Sequence, residues 1–106
     1  MKLWLDDVRD PAYHGRIGYV WAKTYFEAIE YLRTGEVTIA DLDHDLGILS
    51  TLGYINKELT GYDVVTWMEM SGIWPKDGVF VHSMNPVGKR RMEQVINKYY
   101  LTKRKE

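Results

Sequence analysis

Three short groups of ionisable residues stand out in this chain: Asp6-Asp7, Asp43-His44-Asp45 and His82-Ser83, each directly after a short apolar run. Carboxylates gathered from separate segments repel and raise one another's pKa unless a cation lies between them. With no cysteine in the sequence, the donors on offer are hard oxygens, which suit Mg²⁺ or Mn²⁺. Asp6, Asp7, Asp43 and Asp45 are therefore the expected metal ligands. A Mg²⁺ held by a few carboxylates keeps waters that a phosphate replaces, so a phosphate site is implied. Imidazole changes charge near neutral pH, which makes His44 and His82 the expected general acid and base, beside Asp43.

A second group carries the opposite charge. Lys89, Arg90 and Arg91 are consecutive in what should be the first turn of a helix, where cations oppose the positive end of the helix dipole. A bound anion reverses that penalty, and free amides at a helix start are natural phosphate donors. Lys89 and Arg90, with Ser83 and Asn85 as hydrogen-bonding groups, are the expected phosphate contacts. Asn85 is equally suited to capping the helix. Arg9 follows the acidic pair closely enough to join either partner. His14 has no companion in the sequence, and Trp4, Trp21, Trp67 and Trp74 read as core or surface aromatics.

The elements that must position these groups follow from hydrophobic periodicity. Lys2 to Leu5, Tyr19 to Ala22, Val37 to Leu42 and Val79 to Val81 are short apolar runs expected as strands. Thr24 and Glu27 form a capping-box pattern before a helix whose stripe is Tyr25, Ala28, Ile29 and Leu32, stopped at Gly35. Tyr62 to Ser71 is expected as a second helix with Val64, Val65 and Met68 inward, closed by Gly72. Asn85-Pro86 opens a third, with Met92, Val95, Ile96 and Tyr99 on its apolar side and a frayed tail from Lys103 to Glu106. Strands alternating with helices imply parallel strands joined by right-handed crossovers, an α/β fold. Parallel strands all end on one edge, so the acidic groups should converge there, at the switch in strand order. Acids after strands also serve as caps and turn formers; agreement among separate strand ends is what favours a site.

The segment from Leu46 to Thr60 resists this scheme. It is long for a connection in a small domain, yet it carries Ile48, Leu49, Leu52, Tyr54, Ile55 and Leu59. It is expected as an ordered lid or hairpin, and as the surface through which a homo-oligomer would form.

Bulk properties narrow the classes. The 106 residues, 45% apolar and 13% aromatic, suffice for one core, so residues 1–106 are read as a single domain. Fourteen Lys and Arg against 15 Asp and Glu provide no global pull towards nucleic acid or a membrane surface. No apolar run approaches the ~20 residues that span a bilayer, and the N-terminus has neither a signal-peptide nor a transit-peptide pattern. A soluble cytoplasmic protein is the expectation.

Taken in order, LDDVRDP (Leu5 to Pro11), DLDHDLG (Asp41 to Gly47), TGYDVVTWM (Thr60 to Met68) and HSMNPVGKRRM (His82 to Met92) resemble the cyclic-phosphate-processing receiver-like domains, a reduced branch of the response-regulator receiver fold. The resemblance spans most of the chain and fits least well at the 46–60 insertion. It implies a flavodoxin-like, three-layer arrangement of four mainly parallel strands in order 2-1-3-4, with the helix after the first strand reduced to the loop Val8 to Gly18. It also implies that Asp6 and Asp7 match the receiver's acidic metal-binding pair, Asp43 the acid ending strand 3, and Ser83 the strand-4 hydroxyl. The receiver's fifth strand, with its lysine, has no counterpart here.

The function expected on these grounds is a metal-dependent phosphoesterase acting on a cyclic phosphate, of a nucleotide or of an RNA end. One alternative is a module that binds a cyclic nucleotide or phosphorylated ligand without chemistry. A degenerate receiver using Asp43 as phospho-acceptor ranks third, because the lysine strand is missing.

Overall fold

The computed structural model describes residues 1–47, 51–52 and 57–104. Strand β1 (Lys2–Leu5) leads through a 3-10 turn (Pro11–His14) to β2 (Val20–Ala22), helix α1 (Tyr25–Leu32) and β3 (Ile39–Leu42). Two two-residue strands follow, β4 (Thr51–Leu52) and β5 (Lys57–Glu58), then α2 (Gly61–Ser71), β6 (Val79–Val81) and α3 (Pro86–Arg104). Strands β2, β1, β3 and β6 form one open sheet in that order, every neighbouring pair parallel. This is the 2-1-3-4 order expected from the resemblance.

The order dictates where the connections run. The β1-to-β2 link moves one way along the sheet, and the β2-to-β3 and β3-to-β6 links move the other. With right-handed crossovers, the first link must lie on the opposite face from the other two. The packing agrees. Leu3, Leu5, Ala22, Ala40, Leu42 and Val79 share one strand face and form the core with Ala28, Ile29 and Leu32 of α1, Val64, Val65 and Met68 of α2, and Met92 and Ile96 of α3. Each of these is at most 8% exposed, so all three helices serve a single layer. The other face carries Trp4, paired in register with Trp21 and Asp41, and Asp41 is paired with Phe80. Its cover is the loop 8–18 with one 3-10 turn. The three layers expected are thus a helical layer, the sheet, and a third layer thinned to a loop, whose link carries one 3-10 turn in place of a helix.

Local signals explain the helix boundaries. Thr24 Oγ1 accepts from the Glu27 N–H at 3.1 Å, while the Glu27 carboxylate closes on the Lys23 N–H instead of the cap residue's own. Asp63 Oδ2 accepts from the Thr60 N–H at 2.8 Å at the start of α2, and Gly72, at φ 76°, ends it. Asn85 Oδ1 accepts from the Gly88 N–H at 3.0 Å and caps α3. Helix α3 runs through Lys103 and Arg104, where a frayed tail was expected; a cation such as Lys103 near a helix C-terminus complements its dipole. Lys105 and Glu106 lie outside the described residues.

In the insertion, Thr51 pairs with Glu58 and Leu52 with Lys57 in an antiparallel ladder, the hairpin alternative of the sequence reading. Ile48, Leu49, Tyr54 and Ile55, on which the oligomer expectation leaned, lie outside the described residues. Among the described residues no helix is long and apolar enough to cross a membrane.

Candidate metal and phosphate site

The sheet's ladder continues past the strand ends and fixes the site's backbone. Asp6 N–H donates to Ala22 O at 3.1 Å, Asp43 N–H to Leu5 O at 2.9 Å, and His82 N–H to Leu42 O at 3.0 Å. Asp6, Asp43 and His82 therefore sit side by side at the C-terminal edge, where the connections diverge and a crevice opens. Ligand oxygens of Asp6, Asp7 and Asp43 lie within 4.8 Å of one another. Asp6 and Asp43 are buried and Asp7 is half-buried.

The environment separates the three acids. Asp6 Oδ1 accepts from the Val8 and Arg9 N–H groups at 2.9 and 2.8 Å, which turns the chain sharply out of β1. Its Oδ2 faces His82 Nε2 at 3.0 Å and Arg9 Nη1 at 3.5 Å. Burial pushes the Asp43 carboxyl above its ordinary value, and the Asp6 charge adds to that; the His44 N–H, His82 and Arg9 oppose it only in part. A buried carboxylate raised by its neighbour's charge is what a cation would relieve. Three carboxylates with no thiolate fit a hard divalent ion.

His82 links this cluster to the helix-free face of the sheet. Its Nδ1 meets Asp41 Oδ1 at 2.6 Å, and Asp41 Oδ2 accepts from Arg16 Nε at 2.9 Å. The ring lies flat on Trp4, with centroids 3.8 Å apart and planes 1° apart. Carboxylate oxygens face both ring nitrogens, and a neutral imidazole has a single N–H, so both bonds form together only on the doubly protonated ring. Burial pushes the Asp41 carboxyl up, but the hydrogen bonds and charges of His82 and Arg16 outweigh it and leave it below its ordinary value. Trp4 Nε1–H donates to Arg9 O at 2.8 Å and Trp21 Nε1–H to Asp6 O at 2.7 Å, which pins the loop to the sheet.

Other expected residues are placed differently. His44 N–H donates to Asp43 Oδ1, but its ring pairs with Asp45 at 2.8 Å and packs against Gly88 at the start of α3. A Cβ at Gly88 would run into that ring. Asp45 is exposed and engaged with His44, outside the three-carboxylate group. Ser83 Oγ accepts from the Asn85 N–H, so Ser83 and Asn85 build the α3 cap. Arg91 lies over the Tyr62 ring at 4.6 Å. Lys89 is half-buried and Arg90 exposed, and among the described residues neither forms an ion pair.

Two clefts flank the cluster. One, of about 370 Å³, is lined by Asp7, Val8, Arg9, Asp43, Asp45 and Met84, with Gly47 beside them. The other, of about 360 Å³, lies on the helix-free face between Trp4, His14, Arg16 and Met84, with His82 and Asp41 at its floor. Arg9 and Met84 belong to both. Sequence reasoning passed over Asp41 and Arg16, and it set aside His14 and read Trp4 as an aromatic of core or surface, which its burial bears out. Two of them were findable: Asp41 is two residues before Asp43 and Trp4 two before Asp6, so period-2 alternation puts them on the same strand face. Arg16 and His14 come from a loop, with no periodicity to betray them.

No curated protein and no solved structure matches the chain significantly. The model of the cyclic-phosphate processing receiver domain, by contrast, matches residues 1–98. With that match, and with the open parallel sheet and acidic edge just described, the chain belongs to the cyclic-phosphate processing receiver domain family.

Proposed function

We propose that this chain opens a cyclic phosphate by metal-dependent hydrolysis. The observation that carries the reading is Asp6, a carboxylate shared between a metal-type cluster with Asp7 and Asp43 and a histidine fixed by Asp41. Asp6, Asp7 and Asp43 would hold Mg²⁺ or Mn²⁺; when bound, such an ion polarises a phosphoryl oxygen and acidifies a coordinated water. Arg9, on the wall common to both clefts, would face the phosphate and offset its charge. In the net reaction the oxygen of water bonds to phosphorus, one ring P–O bond breaks, and the leaving oxygen takes a proton, giving a phosphomonoester.

His82 carries the proton in this reading. Asp41 holds its Nδ1 and Trp4 fixes its plane, so Nε2 is the atom that moves the proton once it leaves Asp6. His44 could supply the second acid-base group only by leaving Asp45. Lys89 and Arg90 are left for a phosphate approaching from the α3 side.

Purified protein incubated with 2′,3′-cyclic mononucleotides, 3′,5′-cyclic nucleotides and cyclic dinucleotides, each with Mg²⁺ or Mn²⁺, tests the proposal. Turnover of at least one class is expected, lost on chelation. Folded protein that turns over none of them refutes it. One observation favours a binding module instead: both ring nitrogens of His82 are already engaged. That reading requires thermal stabilisation by a cyclic nucleotide with no product formed.

A further inference from the structure

The two clefts differ in charge, and the difference divides a ligand between them. The first collects Asp7, Asp43 and Asp45 against Arg9, a net negative lining suited to a cation and the phosphate it recruits. In the second, Arg16 is paired with Asp41 at 2.9 Å and Arg9 with Asp6 at 3.5 Å, so each guanidinium already has a carboxylate partner. Guanidinium groups held in this way offer a second phosphate less than free ones would. What the cleft offers instead are flat and polarisable surfaces: the exposed His14 ring, stacked on Trp4 with centroids 5.6 Å apart and planes 19° apart, and the thioether of Met84, a residue 82% exposed. Arg16 adds planar donors. Its Nε is held by Asp41, and its Nη groups make no hydrogen bond among the described residues. The cleft's volume of about 360 Å³ lies at the lower end of the range of about 300–1,000 Å³ for small-ligand pockets.

Resting on the reaction proposed above, we propose that this cleft on the helix-free sheet face seats a nucleobase, stacked on His14 and Met84 and read by Arg16, while the cyclic phosphate of the same nucleoside lies in the acidic cleft. Stacking on an aromatic ring such as imidazole, with hydrogen bonds to the base edge, is the usual way a splayed-out base is held. The thinned third layer is what leaves room for it, since a helix in that connection would cover the Trp4 and Asp41 face.

The test compares two probes in Mg²⁺, each as a hydrolysis-resistant phosphorothioate: adenosine 2′,3′-cyclic phosphate and glycerol 1,2-cyclic phosphate. The proteins are the unmodified chain and His14→Ala, a substitution at an exposed residue that lines the base cleft and not the acidic one, with folding checked by its melting curve. The unmodified chain should bind the adenosine probe about tenfold or more tighter than the glycerol probe. The His14→Ala variant should lose most of that preference and keep its affinity for the glycerol probe. Equal binding of both probes, or a preference that survives the substitution, overturns the base seat and leaves the proposed reaction standing. Failure of the folded chain to bind either probe overturns both. A short RNA ending in a 2′,3′-cyclic phosphate separates the sources: tighter binding than the mononucleotide, weakened in the variant, supports a base seat serving RNA ends. Equal or weaker binding, with the preference above intact, supports one serving free nucleotides.

Discussion

Replacing Asp43 by Asn should make the metal-free protein more stable and abolish its response to metal. The carboxylates of Asp43 and Asp6 offer oxygens no more than 4.8 Å apart, and both residues are buried. At an effective dielectric of about 20, two unit charges at that separation repel by about 3 kcal/mol, which Arg9 and His82 offset in part. A net gain of about 1 kcal/mol on removing the Asp43 charge follows, since Asn keeps an oxygen for the His44 N–H; this corresponds to about 4–8 °C in Tm for a domain of this size. The sign with pH is fixed by the direction of the shift. Asp43 is raised above its ordinary 3.8, so its charge costs stability at neutral pH. That cost disappears as pH falls through the raised folded value and is gone below 3.8, and with it the variant's advantage. Metal acts oppositely: Mg²⁺ at a hundred times its Kd should stabilise the unmodified chain by about 2.7 kcal/mol. Melting curves of both proteins from pH 3 to 8, with chelator or with Mg²⁺ or Mn²⁺, measure all of this. An Asp43→Asn protein that is less stable in chelator and responds to metal as fully as the unmodified chain refutes the electrostatic account and the metal site together.

Asp41→Asn keeps the shape but removes the charge from the Arg16–Asp41–His82 chain. It should cost about 1–3 kcal/mol at pH 7, at the low end because the Arg16 side chain is 42% exposed and can be solvated. Because the Asp41 pKa is lowered, this contribution is complete above the ordinary 3.8 and is lost as pH falls through the lower folded value, so denaturant titrations of the two proteins should converge in strong acid. In the turnover assay, His82→Ala should lose about 10²- to 10⁴-fold, the range for a general acid or base, and His44→Ala much less. Equal losses would restore the two-histidine scheme. Gly61→Ala should destabilise by about 2 kcal/mol or more, because a Cβ there overlaps the Asp43 backbone carbonyl, which cannot yield as a side-chain tip would. An unchanged denaturation midpoint would show that α2 shifts without resistance.

Much of the scaffold was legible because it depends on local chemistry and one topological rule. Apolar runs bounded by acids mark the ends of β1 and β3, capping patterns at Thr24 and Asn85 mark helix starts, and parallel strands must all end on one edge. Asp6, Asp7 and Asp43 were bound to converge once that edge was inferred. Tertiary structure alone decided how the edge is used. His44 follows Asp43, whose N–H still belongs to the ladder, so its side chain turns to the helical layer and Gly88, while His82 shares the opposite face with Asp41. Strand alternation contained that distinction, but only the register between β3 and β6 says which neighbours each face meets. The loop 8–18 lay further out of reach. Its course depends on bonds from Trp4, Asp6 and Asp41 to Arg9 and Arg16, made between residues as far as 25 apart in sequence, and short irregular backbone has no periodicity from which those partners could be read.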